Sequence, residues 1–316
     1  MKQLKYLSCI LALSLAFTAC EEEPDNIINA SNSKVEASDL LPSSSNTNAN
    51  VPGDNPTLSR LEFPHVKESG TQILVNEAGN EVNYCVEWDK DKMSQRYSCY
   101  QLNAKLGAKR VSRYIATGTE LQYPFDDRVE NYFNHTDPFY STGFDHGHIC
   151  PSADRLYSKL ANVQTFYLTN MQPQVNGFNA GVWGNMELQV RDWDKDGFRK
   201  TLYIVKGGTI ENTDAVPDAY QVKPRFGGDL IVPNYYYMAI LCETPSGGYK
   251  AIGFWIKHEA NNDNYEALTK YIVNIDELER LTGIDFFCNL PDQLEKQVEA
   301  ASLQEVKSVW PLRKKS

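Results

Sequence analysis

Two neighbouring stretches constrain this chain of 316 residues more than any other. The first reads Gly143-Phe144-Asp145-His146-Gly147-His148-Ile149-Cys150-Pro151, and the second runs from Phe166 to Glu187. Thr165 to Thr169 reads as a strand, Pro173 ends it, and a helix is predicted from about Asn176 to Trp193. Val182, Met186, Val190 and Trp193 recur at helical spacing and predict a core-facing stripe. Asn179, Trp183 and Glu187 are spaced four apart and share a second stripe. At 1.5 Å of rise per residue, Asn179 and Glu187 stand ~12 Å apart along the helix. That speaks against both binding one small ion directly and leaves a link through water to one of them.

The residue types in these stretches point to a chemistry. His148 carries a group that titrates near neutrality and can take a proton from water. Gly147 permits a backbone geometry that a Cβ would resist, and Asp145 either orients an imidazole or holds the loop. Asn179 fits two roles, a helix N-terminal cap or an oxygen donor to a magnesium ion that keeps most of its waters. An imidazole, several amides and one carboxylate on strand, strand and helix suit metal-assisted cleavage of a phosphodiester.

The rest of the globular part reads as scaffold. Val82 to Trp88 and Tyr97 to Leu102 are predicted strands joined at Asp89-Lys90-Asp91-Lys92. In that hairpin Cys85 faces Cys99, where either a disulfide or two buried thiols fits. Thr201 to Val205, Asn234 to Cys242 and Ala251 to Lys257 are further strands. Short helices are expected over Tyr265 to Tyr271, Asp276 to Thr282 and Pro291 to Val298, and His258 reads as a surface histidine. The pattern predicts one α+β domain over residues 60–316, with a central antiparallel sheet flanked by helices. Cys242 with Cys288 is the expected disulfide, since both lie at element ends and export permits pairing. Cys150 shares a strand face with His148, so a cysteine hydrolase is a rival reading, although buried packing is the simpler role for that thiol. Arg110, Arg113 and Arg128, upstream of the motif, read as solvated charges.

Charge and the N-terminus bear on where such a site would work. The formal net charge is -10. Much of it lies between residues 21 and 59, where Glu21, Glu22, Glu23, Asp25, Glu36, Asp39 and Asp54 face Lys34 alone. No basic block of the kind shown by a tight, metal-independent nucleic-acid binder is present, and a divalent cation could supply the missing positive charge. Residues 1–19 form a basic start, a short apolar run from Tyr6 to Phe17 and small residues, as a secretory signal does. The ending Phe17-Thr18-Ala19-Cys20 resembles a bacterial lipobox, with Cys20 as the lipidated first residue of the mature protein. Residues 20–59, rich in Asn, Ser, Asp and Pro, read as a disordered acidic tether reaching roughly 35 Å. The expected address is the outer membrane, with Glu21-Glu22-Glu23 resembling a signal for cell-surface exposure.

Asp145-His146-Gly147-His148 with Pro151, Asn170-Met171-Gln172-Pro173-Gln174, and Asn179 with Trp183 and Glu187 together resemble the sugar-non-specific DNA/RNA endonucleases. The resemblance spans roughly Val82 to Phe287 and includes Arg96 to Tyr100 and Leu281 to Phe287. It implies a ββα-metal (His-Me finger) site and Mg2+-dependent hydrolysis of both nucleic acids, with Mn2+ able to substitute and 5′-phosphate ends left. By resemblance His148 is the general base, Asn179 the direct metal ligand, Glu187 a carboxylate reaching the metal through water, and Asn170 an amide behind them. His146 stands where the family commonly has a phosphate-holding arginine; protonated His146, or Arg155, would take that part. Arg113 is the best match to an upstream arginine of the family. The alternative is a degenerate nuclease fold on the cell surface that binds nucleic acid or another polymer without cutting it.

Overall fold

The computed structural model describes residues 28–29 and 46–313. Its centre is an antiparallel sheet built from β1 (Ile28–Asn29), β2 (Thr71–Ala78), β3 (Glu81–Asp89), β4 (Ser94–Leu102), β7 (Thr201–Gly208), β10 (Tyr235–Glu243) and β11 (Gly248–Lys257). The spatial order is β1-β11-β10-β7-β4-β3-β2, and the short β12 (Ile272–Val273) also pairs with β11. The α+β expectation holds.

Side-chain alternation explains why the sheet sits in the middle. Along β10, Tyr236, Met238, Ile240 and Cys242 join one apolar cluster, while Tyr237, Ala239 and Leu241 join the other. Successive strand residues point to opposite faces, so these near-continuous apolar strands need cover on both sides. Burying each large apolar side chain contributes roughly 1.5–3 kcal/mol. One face is covered by α1 (Lys159–Gln164), α2 (Gly184–Trp193) and the hairpin β5 (Asp145–His148) with β6 (Met171–Gln174). The other carries α3 (Ile275–Thr282) and α4 (Asp292–Glu299).

Several expectations are corrected. Thr165 to Thr169 is no strand. Ser158 caps α1 by accepting from Ala161 N, and the Thr165 hydroxyl bonds back to Asn162 O, so this stretch closes a helix. The strand begins at Met171 instead. Cys85 does face Cys99, but as free buried thiols. Cys242 and Cys288 are unpaired too: Cys242 lies on the α2 face, while Cys288 donates to Phe63 O on the other. His258 is half-buried, with Nδ1 on Pro233 O at 2.8 Å and Nε2 accepting from Val175 N–H at 2.9 Å. The hairpin β8 (Tyr220–Arg225) with β9 (Gly228–Pro233), and α5 (Leu303–Val309), were not anticipated. Ser302 and Glu305 form a capping box before α5, a signal that was legible.

Cys20 and most of the expected tether lie outside the described residues. The segment 46–59 does not behave as tether. Asn46 Nδ2 donates to Cys288 O at 2.7 Å, and Asn50 bonds Pro64 O and Val66 N–H, each at 2.9 Å. Asparagine-rich sequence reads as unstructured, yet here the amides saturate backbone groups of the domain. A chain starting at residue 60 is therefore expected to be less stable than one starting at 46. The difference should be roughly 3 kcal/mol, at about 1 kcal/mol for each such bond, read as a lower urea midpoint.

Candidate active site

The hairpin of β5 and β6 pairs Asp145 with Gln174 and His148 with Met171. Gly147 is required by space, since a Cβ there would lie 2.4 Å from Gln174 Cδ and 2.6 Å from Gln172 O. The following helix is not continuous. Phe178–Trp183 forms a widened π-type turn, with Gly181 at φ -94°, ψ -115° breaking it before α2. Here Asn261 O presses on the chain, accepting from Val182 N–H at 2.8 Å, and a Cβ on Gly181 would come within 2.1 Å of it. This turn voids the straight-helix estimate of the Asn179–Glu187 separation. It also rules out the cap reading of Asn179, because the turn's N-cap residue is Gly177.

Asn179, Glu187, His148, His146, Asp145, Arg113 and Tyr123 line one cavity of about 450 Å³. Asn179 Nδ2 donates to Asp145 Oδ2 at 2.9 Å, and Asn176 Nδ2 donates to the same oxygen at 3.0 Å. The amide of Asn179 is thereby held by its nitrogen, and its oxygen is the end left to accept or ligate. The His148 ring is held by the His146 backbone and by edge contact with Phe166, at 4.9 Å between centroids. Its Nε2 has no hydrogen-bond partner. Burial, then the Arg113 charge, push this imidazole down from 6.5 to about 3, so it stands neutral at ordinary pH, with a free lone pair.

A profile of the DNA/RNA non-specific endonuclease family matches residues 67–293. The chain belongs to this family. It is a nuclease, a hydrolase of a class that is metal-dependent. A nuclease of Nostoc sp. is 30% identical over 69% of this chain and 75% of its own length. Human mitochondrial endonuclease G is 28% identical over 54% of this chain and 58% of its own. A crystal structure of the EndoG/EndoGI complex superposes with a TM-score of 0.56 at 22% identity, over 68% of this chain and 86% of that one.

Two expected residues fall outside the nuclease's cavity. Arg155 is fully buried after the turn Ser152–Asp154, stacked 4.5 Å from the Tyr100 ring with Nη2 donating to Gln101 O. It cannot take the phosphate-holding part. Asn170 is also buried, and all its bonding capacity goes to the protein. Its Oδ1 accepts from Cys150 N–H at 2.9 Å and Ser98 Oγ at 3.1 Å, while Nδ2 donates to Cys150 O and Thr165 O, each at 2.8 Å. It pins the chain just beyond His148 and touches no substrate space. Cys150 is buried as well, and burial pushes its thiol up to about 12, which removes the cysteine-hydrolase reading. Arg128 is spent on Asp126 and Asn76, away from the cavity.

His146 is at the cavity but partly committed. It stacks on Tyr123 at 3.7 Å, and its Nε2 lies 2.9 Å from Asp137 Oδ2. Burial raises the Asp137 carboxyl, but the His146 bond and charge outweigh it and hold it below its usual range. Arg113 is exposed at the rim, 4.7 Å over Phe166. Sequence reading missed the ions behind Glu187. Arg191 Nη1 lies 2.8 Å from Asp154 Oδ1 and 3.9 Å from Glu187 Oε2, and the buried Lys206 Nζ is 4.0 Å from Glu187 Oε1. Burial raises Glu187 against these two charges. Arg191 follows Glu187 by four residues, a spacing that would have found it.

Asn170→Ala is expected to lower stability by about 4 kcal/mol, because buried groups lose partners at ~1–3 kcal/mol each, and to lower activity in parallel. Urea denaturation beside a plasmid-nicking assay checks this; full stability with lost activity would make Asn170 a direct participant.

Proposed function

We propose that this nuclease hydrolyses phosphodiester bonds of both DNA and RNA with Mg2+ as cofactor, Mn2+ able to substitute, and leaves 5′-phosphate ends. The observation that carries the reading is the convergence of three groups on one cavity: the unpartnered His148 Nε2, the Asn179 amide and the Glu187 carboxylate. The donor set fits a hard cation, since Asn179 offers an amide oxygen and Glu187 a carboxylate, with no soft ligand present. Asn179 would hold the ion directly and Glu187 through water. What the ion supplies when bound is neutralisation of charge building at phosphorus and at the departing 3′ oxygen.

The chain's own groups do the rest. Neutral His148 takes the proton of a water lined up behind phosphorus. Asp145 keeps the amide nitrogen of Asn179 turned away, and Arg191 and Lys206 hold Glu187 in place. Arg113 at the rim, with His146 beside it, attracts the flanking phosphates. We propose further that the chain is exported and anchored in the outer membrane through a lipid on Cys20, as residues 1–23 imply.

His148→Ala is expected to reduce nicking of plasmid DNA and cleavage of RNA by about 10²–10⁴-fold, with the melting temperature kept. Because the imidazole titrates below 6.5, the acid limb of kcat/KM should lie below that pH; a limb at or above 6.5 would mean another base. Chelator should stop both digests, and Asn179→Ala should raise the Mg2+ needed for half-maximal rate. Intact DNA and RNA after long incubation with Mg2+ would instead favour the polymer-binding alternative. For the anchor, Cys20→Ser should abolish incorporation of labelled fatty acid and move the protein from the membrane to the soluble fraction.

A further inference from the structure

On the sheet face opposite the cavity, α3 and α4 bring carboxylates together. Asp276 and Glu279 of α3 and Glu299 at the end of α4 each present an oxygen, and these oxygens lie within 4.8 Å of one another. The arrangement is braced. Asn274 caps α3 by accepting from Glu277 N–H at 3.0 Å, and its Nδ2 donates to Ala301 O at 3.2 Å, holding the end of α4 against the start of α3. Glu279 is anchored by accepting from Phe286 N–H at 2.8 Å.

A second observation separates this cluster from an ordinary acidic surface. Glu299 is only 6% exposed, its Oε1 has no hydrogen-bond partner, and that side chain is aimed at the other two. A buried carboxylate oxygen without a donor is costly unless a cation meets it. Glu295, one turn before Glu299, and Asp285 add further negative charge beside the group.

We propose that Asp276, Glu279 and Glu299 form a structural divalent-cation site of calcium type, separate from the catalytic cavity. Oxygens that all lie within 4.8 Å of one another are within reach of one ion bonded at about 2.3–2.6 Å, as calcium is. The exposed side of Asp276 leaves room for water to complete the shell. Burial, and then the neighbouring carboxylates, push Glu299 up to about 10, while burial pushes Glu279 up to about 8.

The site also has a structural consequence. Asn48 Nδ2 donates to Glu295 Oε1 at 2.9 Å and to Asp285 Oδ2 at 3.1 Å. A cation that offsets the charge of Glu299 lets Glu295 and Asp285 stay ionised and grip the segment at Asn48. The ion would then tie α3 and α4 to the point where the N-terminal segment joins the domain.

The test uses the full chain carrying Asn179→Ala, so that the catalytic cavity does not bind the probe, after chelator has been removed by dialysis. Titration with calcium chloride should show one saturable site with a dissociation constant of about 0.1–1 mM. Saturating calcium should raise Tm by about 5 °C. Asp276→Asn, at an exposed position that does not threaten folding, should weaken binding at least tenfold, and Glu299→Gln should abolish the Tm response. In the otherwise native chain, Asp276→Asn should leave Mg2+-dependent nicking unchanged. No saturable binding up to about 10 mM, binding unchanged in both variants, or Glu299→Gln stabilising a wild type that ignores calcium would overturn the proposal. The last result would identify carboxyls sharing protons.

Discussion

The hydrogen bond from Asn179 Nδ2 to Asp145 Oδ2, 2.9 Å long, decides what the cavity offers. An amide has a donor end and an acceptor end, and turning it over would present NH₂ to the cavity in place of the oxygen. Asp145, at the start of β5, settles that choice, and Asn176 on the same carboxylate oxygen helps fix the carboxylate's own orientation. The bond also joins the two halves of the site, the hairpin that carries His148 and the turn that leads into α2.

That bond is possible because the helix is broken where it is. A straight helix would carry Asn179 and Glu187 in one rigid line. The widened turn at Phe178–Trp183, with Gly181 under the Asn261 carbonyl, sets the orientation of Asn179 apart from that of Glu187. Trp183 bridges the two regimes: its ring is buried beside Phe178 and Tyr236, and its Nε1 donates to His148 O at 3.3 Å. The stripe Asn179, Trp183 and Glu187 thus comprises an amide, a strut to His148 and a carboxylate, each placed by a different local force.

How much of this was legible depends on the range of the interaction. Strand alternation is local, and β3, β4, β7, β10 and β11 were readable from it. The cavity residues His148, Asn179 and Glu187 were readable from types and spacing read with the family resemblance, whereas Arg113 reads as a solvated charge by itself and came from the resemblance alone. Arg155 was misassigned because nothing in Ser152-Ala153-Asp154-Arg155 reveals that Tyr100, on a distant strand, draws the guanidinium into the core. Lys206 was overlooked for the converse reason: a lysine after Thr201-Leu202-Tyr203-Ile204-Val205 looks like a strand's end. Only the fold places it over Trp183 and beside Glu187. Asn46 and Asn50 were read as solvated because amides satisfy backbone groups as readily as they hydrate, and composition does not distinguish the two.

The same division of forces resolves the acidity of a chain that must meet a polyanion. Most of the positive charge around the cavity is turned inward. Arg191 is tied to Asp154 and Lys206 lies under Glu187, while Arg113 stands exposed at the rim. Inward cations do not attract a duplex over long distances, where a field of net charge -10 is unfavourable. They act at short range, by keeping Glu187 and Asp154 in one arrangement in a medium where Coulomb forces are poorly screened. A cluster of carboxylates gathers instead on α3 and α4, across the sheet from the cavity. Separating the charges by the thickness of a sheet leaves the cavity locally balanced. Arg113 is then an exposed cation that faces the cavity, beside the Asn179 amide.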